Sequence, residues 1–236
     1  LRAATALRSR LPGDEAYGDP LSVAGDEAPQ VLGRRLAQLT AERPGAMREI
    51  GFSALQVWQS VSEAQGRGRG DRELAILFTD LVEFSDWALE AGDERAVELL
   101  RRVGMETEPV IARYEGRIVK RLGDGLMAVF EDPCAAVDAA LDTAEAVGGI
   151  ELDGHRPQQR AGVHLGRPRR LGSDYFGVDV NVAARVAAAA GPGQVLVSQA
   201  ARDRLDDAEL KLRRRWRFKA KGAPKDLGVY TAARTL

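Results

Sequence analysis

Hydrophobic positions in this chain fall into patterns that change along its length. Leu74–Ala75–Ile76–Leu77–Phe78–Thr79 is an apolar run ending on Asp80, which predicts a buried strand that delivers a carboxylate at its end. Residues 85–114 follow with helical spacing. Gly116 to Phe130 then reads as two short strands joined by Gly123–Asp124–Gly125, a hairpin signal. Pro133 opens an alanine-rich helix, Cys134 to Val147, at the position where proline suits a first turn. Arg160–Ala161–Gly162–Val163–His164–Leu165 predicts another strand, and Asp179 to Ala190 a helix stopped by Gly191–Pro192–Gly193. Gln194–Val195–Leu196–Val197 is a short strand, with Ser198 capping a short helix. Leu210 to Phe218 and Leu227 to Ala232 close the chain as strands. The order β-α-β-β-α-β with extra C-terminal elements is that of a ferredoxin-like sheet, so the fold class is α+β.

The first 70 residues read differently. Pro12, Gly13, Gly18, Pro20, Gly25 and Pro29 among acidic residues suggest a loop-rich lead-in. Val31, Leu32, Leu36 and Leu39 recur at helical spacing up to Pro44, and Met47, Ile50, Ala54, Val57, Trp58 and Val61 give a second amphipathic helix. Gln65–Gly66–Arg67–Gly68–Arg69–Gly70 has a hinge composition. The expected division is a helical regulatory or linker segment over 1–70 and a second domain over 71–236. Leu1 in place of Met suggests a piece of a longer polypeptide.

Composition narrows the partners. Lys and Arg number 34 against 35 Asp and Glu, so no overall field points to nucleic acid or a membrane surface. The basic run Lys211 to Arg217 is expected to be a solvated strand face. Cys134 is alone, which excludes an internal disulfide and fits a reducing, cytoplasmic compartment. No run approaches the roughly 18 apolar residues of a membrane span. His155 and His164 lack neighbours at zinc-ligand spacing, and His164, in mid-strand, is expected to be structural. Trp58 and Trp87 are expected to be helix-packing aromatics.

If the hairpin pairs beside the first strand, Asp80 and Asp124 meet at one edge of the sheet. Two hard oxygen ligands open to a phosphate-bearing substrate suit Mg²⁺ or Mn²⁺. Asn181 and Arg185 lie four apart near the start of a helix, an amide and a guanidinium on one face. Donors placed like this can stabilise charge developing on a phosphate.

Phe78–Thr79–Asp80–Leu81–Val82–Glu83–Phe84–Ser85, Lys120–Arg121–Leu122–Gly123–Asp124, and Asp174–Tyr175–Phe176–Gly177 followed by Asn181 and Arg185 resemble the class III nucleotidyl cyclases. The likeness runs from about residue 72 to the C-terminus. The residues before it look like the regulatory region of soluble actinobacterial adenylyl cyclases. The resemblance implies a cyclase catalytic domain that converts ATP to 3′,5′-cyclic AMP and pyrophosphate. Asp80 and Asp124 would hold two divalent ions, one activating the ribose 3′-hydroxyl and one binding the β- and γ-phosphates. Lys120 and Asp174 match the purine-reading pair of adenylyl cyclases, since adenine offers an acceptor at N1 and a donor at N6, and guanine the reverse. Asn181 would orient the ribose and Arg185 stabilise the pentavalent transition state.

Arg167 stands where the family often has a phosphate-contacting arginine; the other reading is an exposed loop charge. Phe218–Lys219–Ala220–Lys221–Gly222 resembles a segment whose lysine contacts the triphosphate, and the register leaves both Lys219 and Lys221 open. Family sites form between two catalytic domains, so a homodimer with two composite sites is implied. Two alternatives are a silent cyclase-like nucleotide-binding or dimerisation module, expected to lack some of these residues, and a diguanylate cyclase, whose Gly–Gly–Asp/Glu–Glu–Phe hairpin is absent.

Overall fold

The structure is a computed structural model in which residues 70–205, 210–215 and 227–235 are described. The two predicted N-terminal helices, the hinge before Gly70, and Lys219 and Lys221 lie outside those residues. The described elements run β1 (Leu74–Leu81), α1 (Phe84–Ala91), α2 (Asp93–Arg113), β2 (Arg117–Leu122), β3 (Gly125–Phe130), α3 (Pro133–Gly148) and β4 (Gln159–Gly166). They continue with β5 (Arg169–Leu171), β6 (Asp174–Phe176), α4 (Val178–Ala188), β7 (Val195–Ser198), α5 (Gln199–Arg202), β8 (Leu210–Arg214) and β9 (Val229–Arg234).

Seven strands form one sheet in the order β2-β3-β1-β4-β7-β9-β8, and β5 pairs with β6 in a separate ribbon. The first four positions are the ferredoxin-like arrangement. β1 is antiparallel to both β3 and β4, and only the β4–β7 pairing is parallel. The continuous apolar run of β1 follows from this central place, because both faces of the strand are covered. Ala75 and Leu77 pack with Ala136, Val137 and Ala140 of α3 on one face. Leu74, Ile76 and Phe78 pack with Val180, Ala183, Ala184 and Ala187 of α4 on the other.

Local chemistry sets the element ends. α3 begins where Asp132 accepts a hydrogen bond from the Cys134 amide, with Pro133 behind the cap. The helical region expected over 85–114 divides into two helices, because Gly92 adopts φ 87° and ψ 163°, which no helix accommodates. Ser198 caps α5 as its position predicted, accepting from the Ala201 amide at 3.4 Å. β8 is an edge strand whose Lys211, Arg213 and Arg214 are exposed, so the described part of the basic run is a solvated face.

Candidate active site

Asp80 sits near the end of β1, and Asp124 sits in the turn between β2 and β3. Thr79 of β1 is opposite Leu126 of β3, so the hairpin lies directly against the strand that carries Asp80. Gly125 permits this approach: a Cβ there would stand 2.1 Å from the Thr79 carbonyl oxygen. Gly123, by contrast, supplies the turn, with φ 65°. Asp80 and Asp124 are close enough for each charge to act on the other, and the Leu81 amide donates to Asp124 Oδ2 at 3.2 Å. They do not meet at a sheet edge, as the sequence suggested, but at the end of a central strand, because β4 covers the far side of β1.

Burial and the neighbouring Asp80 charge push the Asp124 carboxyl up to about 7. Asp80 has a counter-ion that sequence reasoning missed. The Arg160 guanidinium donates to Asp80 Oδ2 through Nε at 2.8 Å and also through a terminal nitrogen. Asp80 and Arg160 are directly opposite across the β1–β4 ladder. Among the described residues no cluster of three or more His, Cys, Asp or Glu side chains could hold a metal ion. A pair of carboxylates fits Mg²⁺-type binding, which keeps several waters and takes further oxygens from a phosphate substrate.

The second charged pair lies across β2 and β6. Lys120 Nζ donates to Asp174 Oδ2 at 2.6 Å, and Asp174 Oδ1 accepts from the Tyr175 amide at 2.7 Å. Arg117 Nη2 donates to the Tyr175 hydroxyl at 2.9 Å, a second tie between the same strands. Burial pulls the Lys120 ammonium below its ordinary value, while the Asp174 charge and hydrogen bond act against that fall. The ammonium also stands 5.6 Å from the centre of the Phe176 ring.

Asn181 and Arg185 are on α4, half-buried, one turn apart. Asn181 Oδ1 and Arg185 Nε and Nη1 are buried with no hydrogen-bond partner. Polar atoms in that condition cost stability unless water, a ligand or another chain satisfies them. Arg167 is exposed just past β4; its Nε is 3.8 Å from Glu73 and its amide donates to Asp179 at 2.7 Å. Trp87 packs as expected, beside Leu81 and Leu99 and stacked on His155 with ring centres 4.5 Å apart. Among the described residues no helix is long and apolar enough to cross a membrane.

Over residues 69–232 the sequence matches the family described as the adenylate and guanylate cyclase catalytic domain. A Mycobacterium tuberculosis protein named pH-sensitive adenylate cyclase is 34% identical over 139 residues, covering 59% of this chain and 34% of that one. An adenylate cyclase of Streptomyces coelicolor is 31% identical over 153 residues, covering 65% of this chain and 39% of that one. The chain thus spans between 34% and 39% of the length of these two relatives. Among solved structures, the adenylyl cyclase CyaB from P. aeruginosa superposes with a TM-score of 0.59 at 21% identity, covering 70% of this chain and 95% of that one. The guanylate cyclase domain of RhGC from Catenaria anguillulae, in complex with GTP, gives 0.63 at 18%, covering 69% and 97%. At such identities these two likenesses are of fold. The family match spans well over half of the sequence, and the chain belongs to the adenylate and guanylate cyclase catalytic domain family.

Proposed function

We propose that this chain is an adenylate cyclase that converts ATP to 3′,5′-cyclic AMP and pyrophosphate. The observation that carries the reading is the contact of Lys120 with Asp174. A donor and an acceptor side by side complement N1 and the N6 amino group of adenine, and the same pair is mismatched to guanine. Asp80 and Asp124 would hold two divalent ions, Mg²⁺ or Mn²⁺. When bound, the ions supply activation of the 3′-hydroxyl and neutralisation of phosphate charge. Arg160 holds a guanidinium beside Asp80, a planar donor set that suits phosphate oxygens. Asn181 would orient the ribose, and Arg185 would stabilise the pentavalent phosphorus.

The unsatisfied atoms of Asn181 and Arg185 support a homodimer in which each site takes its aspartates from one chain and its purine-reading and transition-state residues from the other. The start of the family match at residue 69 supports a catalytic domain over 71–236, preceded by a regulatory or linker segment over 1–70. The test is incubation of the purified protein with ATP or GTP and Mn²⁺. Cyclic AMP from ATP, with far less cyclic GMP from GTP, is expected. Cyclic GMP as the main product would overturn the purine assignment. Nucleotide binding without turnover would make the chain a silent module.

A further inference from the structure

Gly162, His164 and Gly166 are alternate residues of β4 and share one face, the face on which α4 lies. A Cβ on Gly162 would stand 2.2 Å from the Ala187 amide nitrogen, and one on Gly166 would stand 2.4 Å from Cβ of Asp179. Both ends of α4 therefore rest on β4 at a glycine. Between the glycines is His164, 6% exposed, which the proposed chemistry does not use.

Its partners are directional. His164 Nδ1 lies 2.8 Å from Ser198 Oγ. Ser198 Oγ already accepts from the Ala201 amide, so its own proton is free to point at Nδ1. With that proton directed at Nδ1, the neutral ring would present its own N–H at Nε2. Nε2 is buried and makes no hydrogen bond, and Asp179 Oδ1, in the first turn of α4, stands 3.5 Å from it. The second oxygen of Asp179 accepts from the Arg167 amide at 2.7 Å. Apolar contact sets how closely α4 approaches the sheet but is non-directional, whereas the polar neighbours Ser198, His164 and Asp179 meet in only one register of α4 on the sheet. Asn181 and Arg185 lie two and six residues beyond Asp179.

We propose that His164 is a positioning residue: anchored by Ser198, it grips Asp179 and thereby fixes the part of α4 that carries Asn181 and Arg185. The kinetic arm of its test rests on the cyclase reading; the structural arm does not. In His164→Gln the amide reaches the place of Nε2, and in His164→Asn it reaches that of Nδ1. A group that only fills space would let both variants behave alike. The expected result is that Gln keeps the wild-type hydrogen exchange of the Asn181 to Val186 amides and a kcat within about threefold. Asn should speed that exchange about tenfold and lower kcat about 10- to 100-fold with little change in KM, the scale for a misplaced group.

Equal exchange in the two variants, or wild-type exchange in His164→Asn, overturns the proposal. Should His164→Asn fail to fold, Asp179→Ala decides, because it removes the gripped carboxylate and leaves the glycines and the ring. It should loosen the same amides, and unchanged exchange there overturns the proposal equally. If the wild-type protein makes no cyclic nucleotide, the cyclase reading falls, while the exchange comparison still decides whether His164 holds α4 in place.

Discussion

Asp80 and Asp124 are like charges held together at the end of a strand, whereas Lys120 and Asp174 are opposite charges drawn together across two strands. The first pair is tolerable only with help: a proton on Asp124, which titrates near 7, and the guanidinium of Arg160 on Asp80. The second pair needs no help and has satisfied itself. A cation would therefore relieve the first, while a purine read by the second, as proposed, would have to compete with its ion pair. On the proposed reading, the difference teaches that affinity for charge and discrimination between bases reside in separate places. A half-buried pair that is already satisfied favours only a ligand that satisfies both halves again.

The largest break in this comparison is expected from the carboxylates. Asp80→Ala or Asp124→Ala should lower cyclic AMP formation at least about 1000-fold, equivalent to roughly 4 kcal/mol of transition-state stabilisation, with the fold intact by circular dichroism. Undiminished production by Asp124→Ala would end the two-metal reading. Mixing Asp80→Ala with Arg185→Ala protein, each inactive alone, should recover roughly a quarter of wild-type activity, since half the randomly assorted dimers hold one intact site. No recovery after mixing shown by native mass spectrometry would mean that each site lies within one chain.

The opposite-charge pair should yield a smaller effect. Replacing Lys120 and Asp174 together by alanine should cut kcat/KM for ATP about 100-fold and narrow the preference over GTP, measured with both nucleotides side by side. An unchanged ATP preference would remove these two residues from base selection. The smallest effect concerns protons. Asp124 has a folded-state value above its ordinary 3.8, so the folded state holds its proton more tightly than the unfolded state does. That contribution is complete below about pH 4 and is lost as pH rises through 7. The midpoint of metal-free thermal unfolding should accordingly fall by about 5 °C between pH 5 and pH 8. Asp124→Asn should flatten the slope, and an equally steep slope in that variant would trace it to other groups.

Much of this is legible in the linear order of residues, and the exceptions have physical causes. β1 and α3 can be read because a doubly covered strand is continuously apolar and because Asp132–Pro133 is a helix start. Asp80 and Asp124 can be paired because a strand end and a turn between strands are brought together by antiparallel neighbours. Arg160 stays hidden because its partner is set by the β1–β4 register, which no local pattern records. β5 and β6, three residues each, are too short for alternation to show. Gly92 is inconspicuous inside a helical pattern, although a single glycine is enough to divide it. His164 reads as structural from its mid-strand position, but only the fold reveals Ser198 and Asp179 on either side of its ring.

The bare α-carbon of Gly125 has a consequence beyond its turn. With the Thr79 carbonyl so close, any side chain there has to lift the hairpin off β1, and Asp124 moves with it. The seat of the hairpin backbone against β1 is thus gauged by main chain against main chain. Side-chain rotation moves each carboxylate only about a backbone position set in that way; a different seat for the hairpin would require a different backbone.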